Sequence, residues 1–342
     1  MKLKTRLLTL LLLLLPLQAL SQWKPDILGD GYQMRTVTQP SDYSGPVVST
    51  VIRKLVGDTI APGRPAILYV HGFNDYFFNP ELGRQSVAHG YDFYAVDLRK
   101  YGRSIRPGQS LFECRSLKEY FPDIDSALVE INRNRPDKII LMGHSTGGLI
   151  TAYYMAQTHN HAISALVLNS PFLDWNLGWK ERLVPLISWW GSLFPTTRIP
   201  QGDSTAYSES LLSSEKGEWN YRTDWKLKRS PDVTAGWVHA INTAQRSLRN
   251  GKARIDIPIL LMYSGRSVNE SQWSPLHNRA DGVLDVADIR KYGRQLGPHV
   301  TCLQVNGGLH DLLLSNPALL RALYPRIFTW LSSHLPTQTP RQ

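Results

Sequence analysis

The sequence predicts an α/β fold in which a mostly parallel sheet is covered by helices on both faces. From residue 66 onward, short apolar runs alternate with loops and helical patterns, an order typical of parallel sheets. The runs predicted as strands are residues 66–70, 91–98, 138–142, 163–169, 257–263 and 300–305. No Pro-, Ser- or Gly-rich linker divides the 342 residues, so we expect one large core rather than two independent domains.

Two segments before this repeat predict an antiparallel edge of the sheet. Residues 47–56 are rich in β-branched side chains and partly alternate between apolar and polar positions, and residues 32–37 precede them closely. Sequential segments of this kind favour an antiparallel pair, which often forms the edge of an otherwise parallel sheet.

Capping signals predict where two helices begin. Ser116 and Glu119 have the spacing of a capping box, which predicts a helix that continues through Asn132. Near the C terminus, Asn316 precedes Pro317 at the start of a pattern that continues to His334. A capping residue followed by proline is a helix start signal, so we expect a last helix there.

The first 21 residues are interpreted as a secretory signal peptide. Basic residues lead into a leucine-rich run at residues 7–15, and Ala19 and Ser21 supply the small residues of a cleavage site before Gln22. The apolar run is short for a membrane span of about 20 residues and is followed by Pro16. We therefore expect a secreted or periplasmic protein whose mature domain is residues 22–342.

Charge and cysteine content exclude some functions and leave others open. The whole chain has a formal net charge of +10, and removal of the three basic residues of the signal peptide leaves +7. This surplus favours solubility and anionic surfaces, but no basic cluster with interleaved aromatic residues indicates nucleic-acid binding. After export, Cys114 and Cys302 form either a disulfide or two free thiols, and the sequence leaves that choice open.

Residues from about 172 to 256 are predicted to form a cap inserted into the sheet domain. This interval is too long for the connection between neighbouring parallel strands, so it should lie over the carboxyl ends of the strands, where ligands bind. Most of its tryptophans are expected to pack the cap onto the body of the domain. Seven of the ten tryptophans fall within it: Trp175, Trp179, Trp189, Trp190, Trp219, Trp225 and Trp237.

One segment of the cap is too apolar for an ordinary amphipathic helix. Between Leu183 and Phe194, large apolar side chains cover more of a helix than one buried stripe requires. A cap with an apolar underside and rim fits an acyl or lipid-like substrate. We therefore predict that Trp189 and Trp190 contact substrate, and that the cap permits peripheral contact with a membrane.

The clearest chemical signal is Ser145, which lies between Gly143 and Gly147 at the end of a buried strand. A helical pattern at residues 149–154 follows it. A serine at a sharp strand-to-helix turn needs glycine on either side, because its neighbours approach other backbone without room for a Cβ. This pattern predicts a nucleophile elbow in which Ser145 is the attacking group.

A serine nucleophile requires a base, and His310 is the favoured candidate. His310 follows the last predicted strand, where a loop histidine would lie above the sheet beside the elbow. The other histidines have weaker positions. His144 is predicted to face away, His299 precedes its strand, and His277 lies too early for the chain order serine, acid, histidine.

Three carboxylates are candidates for the acid that orients the histidine. Glu270, Asp281 and Asp285 all follow the strand predicted at residues 257–263. Asp281 is favoured, because the apolar residues after it can anchor the loop while its carboxylate points to the imidazole. Asp285 has the position of a helix N-cap instead.

Two backbone N–H groups are predicted to bind the oxyanion that forms during acyl transfer. The strand at residues 66–70 runs into His71 and Gly72, a turn that directs the N–H of Phe73 toward the site. The N–H of Thr146, directly after the nucleophile, is the second donor. His71 and Gly72 are expected to contact substrate.

Together these motifs resemble the α/β-hydrolase superfamily, and within it the monoacylglycerol lipase and lysophospholipase group, often described as serine aminopeptidase-like. Residues 97–104 are similar to that group's strand-end Asp followed by Gly-His-Gly-x-Ser, although Lys100 and Tyr101 depart from it, and residues 266–280 are an insertion. The resemblance implies an eight-stranded sheet with an inserted helical cap, a Ser/Asp/His triad, an acyl-enzyme intermediate and no cofactor or metal. The segments that carry it are His71-Gly72, Gly143-His144-Ser145-Thr146-Gly147-Gly148, Ala280-Asp281-Gly282-Val283-Leu284-Asp285 and Leu309-His310.

Three functions are consistent with the sequence. The leading hypothesis is an exported serine hydrolase that cleaves carboxylic acyl esters such as a monoacylglycerol or a lysophospholipid. The second is a peptidase that releases an N-terminal residue and binds the substrate's ammonium group through a cap carboxylate, for which the candidates are Glu181, Glu209, Glu215 and Glu218. The third is a hydrolase fold that binds ligands without catalysis, and an intact triad argues against it. The oligomeric state stays open.

Overall fold

The computed structural model describes residues 22–249 and 254–335, so the predicted signal peptide lies outside the described residues. Within these two ranges, nine strands form the main sheet and two short strands form a separate antiparallel pair. The strands are β1 (Lys24–Pro25), β2 (Gln33–Asp42), β3 (Gly45–Lys54), β4 (Ala66–Val70), β5 (Asp92–Asp97), β6 (Ile139–His144), β7 (Ile163–Asn169), β8 (Arg198–Ile199), β9 (Val233–Thr234), β10 (Ile259–Ser264) and β11 (Val300–Val305).

The main sheet is mostly parallel with an antiparallel edge, as predicted. Its order is β1-β2-β3-β5-β4-β6-β7-β10-β11. All neighbours from β5 to β11 are parallel, whereas β3 is antiparallel to both β2 and β5. The resemblance implied eight strands; the ninth in the described chain is β1, whose two residues are too few to show a sequence period.

Helices cover both faces of the sheet. The predicted helix starts at Ser116 and Asn316 are confirmed, since α2 follows a short 3₁₀ turn with a capping box and α8 ends at His334. None of the helices in the described ranges is long and apolar enough to cross a membrane. The helices are α1 (Pro80–Ala88), α2 (Phe121–Asn132), α3 (Thr146–Thr158), α4 (Val184–Leu193), α5 (Ala206–Leu211), α6 (Ala235–Arg249), α7 (Val286–Gly293) and α8 (Pro317–His334).

Buried strand residues alternate between two cores, one on each face of the sheet. In β6, Leu141 packs in the core that α2, α3 and α7 cover, while Ile140 and Met142 pack in the core that α1 and α8 cover. Strands buried on both faces read as continuous apolar runs, which is why the sequence predicts their positions so well. The bounds of β4, β7 and β11 match the predicted residues.

The interval between β7 and β10 contains, in chain order, α4, β8, α5, β9 and α6, and the two short strands pair with each other. Helix α4 packs mainly on α6, and α6 in turn packs on α3, the helix that follows Ser145. Gly191 allows the close approach of α4, because a Cβ there would lie 2.0 Å from the carbonyl oxygen of Ala235. These contacts hold the interval beside the carboxyl ends of the parallel strands.

The tryptophans of this interval divide into two groups. Four are buried or half-buried against other aromatic rings or backbone: Trp175, Trp219, Trp225 and Trp237. The indole N–H of Trp219 donates to the carbonyl of Leu314 at 2.7 Å and so ties the interval to the body. By contrast, Trp179, Trp189 and Trp190 are exposed, so packing onto the body does not explain them.

The two cysteines are free thiols. Cys114 is buried and Cys302 is exposed on β11. Burial raises the pKa of the Cys114 thiol to about 12, which keeps it protonated and unreactive at neutral pH.

Candidate active site

Ser145 occupies a strained turn between β6 and α3. Its φ of 52° and ψ of −118° are unfavourable for a residue with a Cβ, and such strain is concentrated at functional positions. Glycine is required on both sides. A Cβ on Gly143 would lie 2.5 Å from the carbonyl oxygen of Gly147, and a Cβ on Gly147 would lie 2.3 Å from that of His71.

The structure brings Ser145, His310 and Asp281 into one hydrogen-bonded chain. The Oγ of Ser145 lies 2.9 Å from Nε2 of His310, and Nδ1 of His310 lies 2.9 Å from Oδ2 of Asp281. Asp281 and His310 are both buried. A proton on Nδ1 donated to the carboxylate leaves Nε2 free to accept the proton of the serine hydroxyl.

The loop around Asp281 fixes its carboxylate. The second oxygen, Oδ1, accepts the N–H groups of Val283 and Leu284 at 2.9 and 2.8 Å. The backbone of Asp281 pairs with the start of the insertion, at Arg266 and Val268. The insertion at residues 266–280 therefore returns to the carboxyl end of β10 and supports the acid.

The other two candidate acids lie elsewhere. Glu270 is exposed. Asp285 caps α7, where its Oδ1 accepts the N–H of Ala287 at 2.8 Å, as its position predicted.

The N–H groups of Phe73 and Thr146 both belong to residues that line the cavity in front of Ser145. Among the residues that the structure describes, neither N–H donates to a protein acceptor. Thr146 is also the first residue of α3, where the helix dipole favours negative charge. Both groups are therefore available for the oxyanion of an acyl-transfer reaction.

The turn that contains Phe73 is clamped by the cap, a feature that the sequence analysis missed. Asn74 donates its Nδ2 to the carbonyl of Leu227 at 2.8 Å and accepts the N–H of Leu227 at 2.7 Å. Next to it, Nζ of Lys226 lies 3.0 Å from Oδ1 of Asp75. Asn74 has a φ of 49°, a conformation that asparagine tolerates better than most residues. The local sequence carries no signal for its partners, because they lie about 150 residues away.

His71 and Gly72 do not contact the cavity, which corrects the prediction that they bind substrate. His71 is fully buried; its Nε2 accepts the N–H of Leu98 at 3.1 Å and its Nδ1 donates to the carbonyl of Gly72 at 2.8 Å. Its ring packs against Tyr101. His71 thus joins the ends of β4 and β5, and there is little room for a side chain at Gly72, because a Cβ there would lie 3.2 Å from the Cβ of Ser145.

His144 does not face away from the site, contrary to the prediction. Its ring centroid lies 4.9 Å from that of His310, and it lines the cavity. Burial lowers its pKa and Asp311 only partly opposes this, so His144 is neutral at pH 7. Asp311 in turn accepts Nδ2 of Asn169 at 2.6 Å, which anchors the His310 loop to β7.

The cavity in front of Ser145 has a volume of about 340 Å³ and is lined by both apolar and polar side chains. Its size and composition suit a molecule with an apolar chain and a polar group. The apolar lining consists of Phe73, Phe172, Trp175, Leu177, Leu227, Trp237, Val283 and Leu284. The polar lining includes Asn74, Gln201, Ser204, Ser208, Lys228 and Ser230.

Trp189 and Trp190 do not line this cavity, so the prediction that they contact substrate there is wrong. Trp189 is exposed, and Trp190 packs on Phe194 and donates its indole N–H to Thr197. The physical reason is the orientation of α4, which packs on α6 through Val184 and Gly191 and points both indoles outward. The tryptophans that do line the cavity, Trp175 and Trp237, come from other parts of the interval.

Metal ligands of the usual kind are not grouped in the described part of the chain. No set of three or more His, Cys, Asp or Glu side chains is placed there to hold a metal ion. The residues around Ser145 instead offer proton transfer and backbone donors.

Comparison with known proteins shows the family and the fold of the chain. The family model for serine aminopeptidase S33 (Hydrolase_4) matches residues 61–270, more than half of the chain. The chain belongs to this family. Its fold is the α/β-hydrolase fold.

Three proteins similar to this chain are named as a phospholipase, a probable lysophospholipase and a monoglyceride lipase. A phospholipase of Bacillus subtilis, YtpA, is 23% identical over 58% of this chain and 74% of its own. A probable lysophospholipase L2 of Haemophilus influenzae is 23% identical over 70% of this chain and 75% of its own. A soluble variant of the monoglyceride lipase of Saccharomyces cerevisiae, solved with a substrate analogue, superposes with a TM-score of 0.63 at 18% identity and covers 88% and 96% of the two chains. The structural likeness shows a shared fold.

Proposed function

We propose that this protein is an exported serine hydrolase that cleaves a monoacyl lipid ester, such as a monoacylglycerol or a lysophospholipid. The observation that carries the proposal is the hydrogen-bonded chain of Ser145, His310 and Asp281, of which Ser145 and His310 line a cavity with both apolar and polar side chains. The relatives named as phospholipase, lysophospholipase and monoglyceride lipase support the same substrate class.

In the proposed reaction, His310 moves a proton twice. As Oγ of Ser145 attacks the ester carbonyl, Nε2 of His310 takes the hydroxyl proton, and the N–H groups of Phe73 and Thr146 bind the oxyanion. The tetrahedral intermediate then collapses, the alcohol leaves with the proton from His310, and the acyl group remains on Ser145. Water then attacks the acyl group on Ser145. His310 takes a proton from the water and returns it to Oγ of Ser145, and the fatty acid is released. Asp281 holds the imidazole in the required tautomer throughout.

Charge in the cavity favours an ester over a peptide with a free N terminus. The carboxylate that lines it is Asp75, and this group is already paired with Lys226. Burial raises the pKa of Asp75, but Lys226, His71 and His144 together lower it below its usual value. The four cap glutamates proposed for an ammonium site do not line the cavity; Glu215, for example, pairs with Lys228.

Two assays test the proposal. The purified protein should hydrolyse monoacylglycerol and lysophospholipid but not aminoacyl anilides, and Ser145→Ala should lower kcat by about 10³-fold or more. Faster turnover of the anilides would favour the peptidase alternative. A protein that reacts with neither substrate class and is not labelled by a fluorophosphonate would be a binding module instead.

Export has its own test. The sequence before Gln22 supports it, so N-terminal sequencing of protein recovered outside the cytoplasm should begin at Gln22. Protein that stays in the cytoplasm with its first 21 residues would contradict this part of the proposal.

A further inference from the structure

Helix α4 is apolar on all sides, yet only one side is buried. Its ten residues include no charged side chain. Val184, Ser188 and Gly191 are buried, on the side that packs against α6. Helices that are apolar all round are normally buried completely, so the other half of α4 lacks the cover that its composition predicts.

The uncovered half continues into the turn before the helix. Trp179 is 73% exposed, Leu186 62% and Trp189 59%. Single exposed apolar residues are common on protein surfaces, whereas a group of them marks an interaction site. We call this surface the cap face. Its six members are Trp179, Leu183, Leu186, Trp189, Leu193 and Phe194, each exposed.

The cap face adjoins the mouth of the catalytic cavity. Leu177, two residues before Trp179, is 45% exposed and also lines the cavity. Val283 is exposed in the same way and lines the cavity from the loop after Asp281. Leu177 and Val283 therefore belong both to the outer surface and to the lining of the cavity in front of Ser145.

Basic side chains accompany the cap face. Lys180 and Arg182 lie in the same turn as Trp179, and Arg198 follows Thr197, the partner of Trp190. All three are exposed, and none has an ion-pair partner among residues 22–249 and 254–335. The carboxylate of Glu181, in the same turn, accepts the backbone N–H of Leu177. Lys180, Arg182 and Arg198 together with Glu181 carry a net charge of +2, from three basic side chains and one acidic one.

We propose that the cap face docks on a membrane surface that contains anionic lipid. Trp and Leu side chains beside Lys and Arg are the combination that seats a helix at the boundary between headgroups and acyl chains. A second copy of this chain fits less well, because a symmetric pair joined through this surface would bring two net positive faces together. Docking would set the cavity mouth at Leu177 against the lipid.

The inference does not depend on catalysis, so it is tested with the Ser145→Ala protein. Binding to sedimented vesicles is measured for the exported protein, with phosphatidylcholine vesicles compared against vesicles that also contain phosphatidylglycerol. Because burial of one such side chain is worth about tenfold in affinity, Leu186→Ser with Trp189→Ser should weaken binding at least about tenfold. Lys180→Glu with Arg182→Glu should remove the preference for phosphatidylglycerol, at about fivefold or more per charge.

The matched control is Ile60→Ser. Ile60 is 57% exposed, similar to Leu186 and Trp189, but it precedes β4 and so lies near the amino ends of the parallel strands, opposite the carboxyl ends that the cap covers. Its loss should leave vesicle binding unchanged. Circular dichroism checks that each variant is folded. If Leu186→Ser with Trp189→Ser does not fold, Lys180→Glu with Arg182→Glu still tests the inference.

Three results would overturn the inference. The first is an absence of vesicle binding by the parent protein. The second is equal binding by the parent protein, by Leu186→Ser with Trp189→Ser and by Lys180→Glu with Arg182→Glu, which would assign any membrane affinity to another part of the chain. The third is a dimer in gel filtration that Leu186→Ser with Trp189→Ser converts to a monomer while vesicle binding is unchanged, which would make the cap face a contact between copies.

Discussion

The clamp between Asn74 and Leu227 provides the most informative single substitution. Asn74→Ala removes two hydrogen bonds, of 2.8 and 2.7 Å, and leaves the backbone N–H and carbonyl of Leu227 without their partners. Each bond contributes about 1 kcal/mol net, and alanine tolerates the φ of 49° less well than asparagine. We expect the free energy of unfolding to fall by about 2–3 kcal/mol.

The same change should also act on catalysis, because Asn74 follows the predicted oxyanion donor Phe73. Complete loss of one oxyanion donor costs about 10²- to 10³-fold in kcat. A donor that is displaced rather than removed should cost less, so we expect kcat to fall about 10- to 100-fold. KM should change little, since the oxyanion exists only in the transition state and the intermediate.

The assay compares Asn74→Ala with Asn134→Ala at a soluble short-chain ester. Asn134 is also buried and donates to the hydroxyl of Tyr94 at 2.7 Å, but it lies at the end of α2, away from Ser145. The control should lose stability without a change in kcat. If the two variants lose stability alike and both keep the parental kcat, the clamp is structural only and the reasoning about Phe73 is refuted.

Three further predictions concern the acid, the apolar lining of the cavity and a buried ion pair. Asp281→Asn should lower kcat about 10⁴-fold, whereas Asp285→Asn should cost only about 1 kcal/mol of stability as a lost cap; the reverse pattern in a kinetic and unfolding comparison would move the acid role to Asp285. Trp237→Ala should flatten the rise of kcat/KM with ester chain length and Trp190→Ala should not, since only Trp237 lines the cavity; equal effects on a graded ester series would contradict this. Asp75→Asn should destabilise the protein by about 3 kcal/mol at pH 7, because it leaves Lys226 buried without its partner. Because the folded state lowers the pKa of Asp75 below its usual 3.8, this stability is present above pH 4 and lost as pH falls through the folded pKa, so denaturation at pH 3 should show a smaller difference than at pH 7.

The parts of the fold and site that the sequence predicted well are those set by local constraints. Strands β4 and β7 are apolar runs that are buried on both faces, so their bounds can be read from the residues alone. The elbow is equally local, because the strained serine and the two glycines lie within five residues. The caps of α2 and α8 also depend only on neighbouring residues.

The parts that the sequence left open or missed depend on contacts between distant segments. Whether Asp281 or Asp285 faces His310 depends on how the insertion at residues 266–280 folds back, which no periodicity records. His71 was expected at the substrate because of its place beside Gly72, but its ring is used to join β4 to β5. The orientation of α4 could not be predicted from composition, since the helix is apolar on every side and the side that packs on α6 is selected by Gly191.

The central claim, that Ser145 carries the acyl group, is tested most directly by mass spectrometry of the protein quenched during turnover of a p-nitrophenyl ester. The account predicts an adduct of the acyl mass on the peptide that contains Ser145, with no such adduct in Ser145→Ala. An acyl group found on a different residue, or rapid turnover by Ser145→Ala without any adduct, would contradict it.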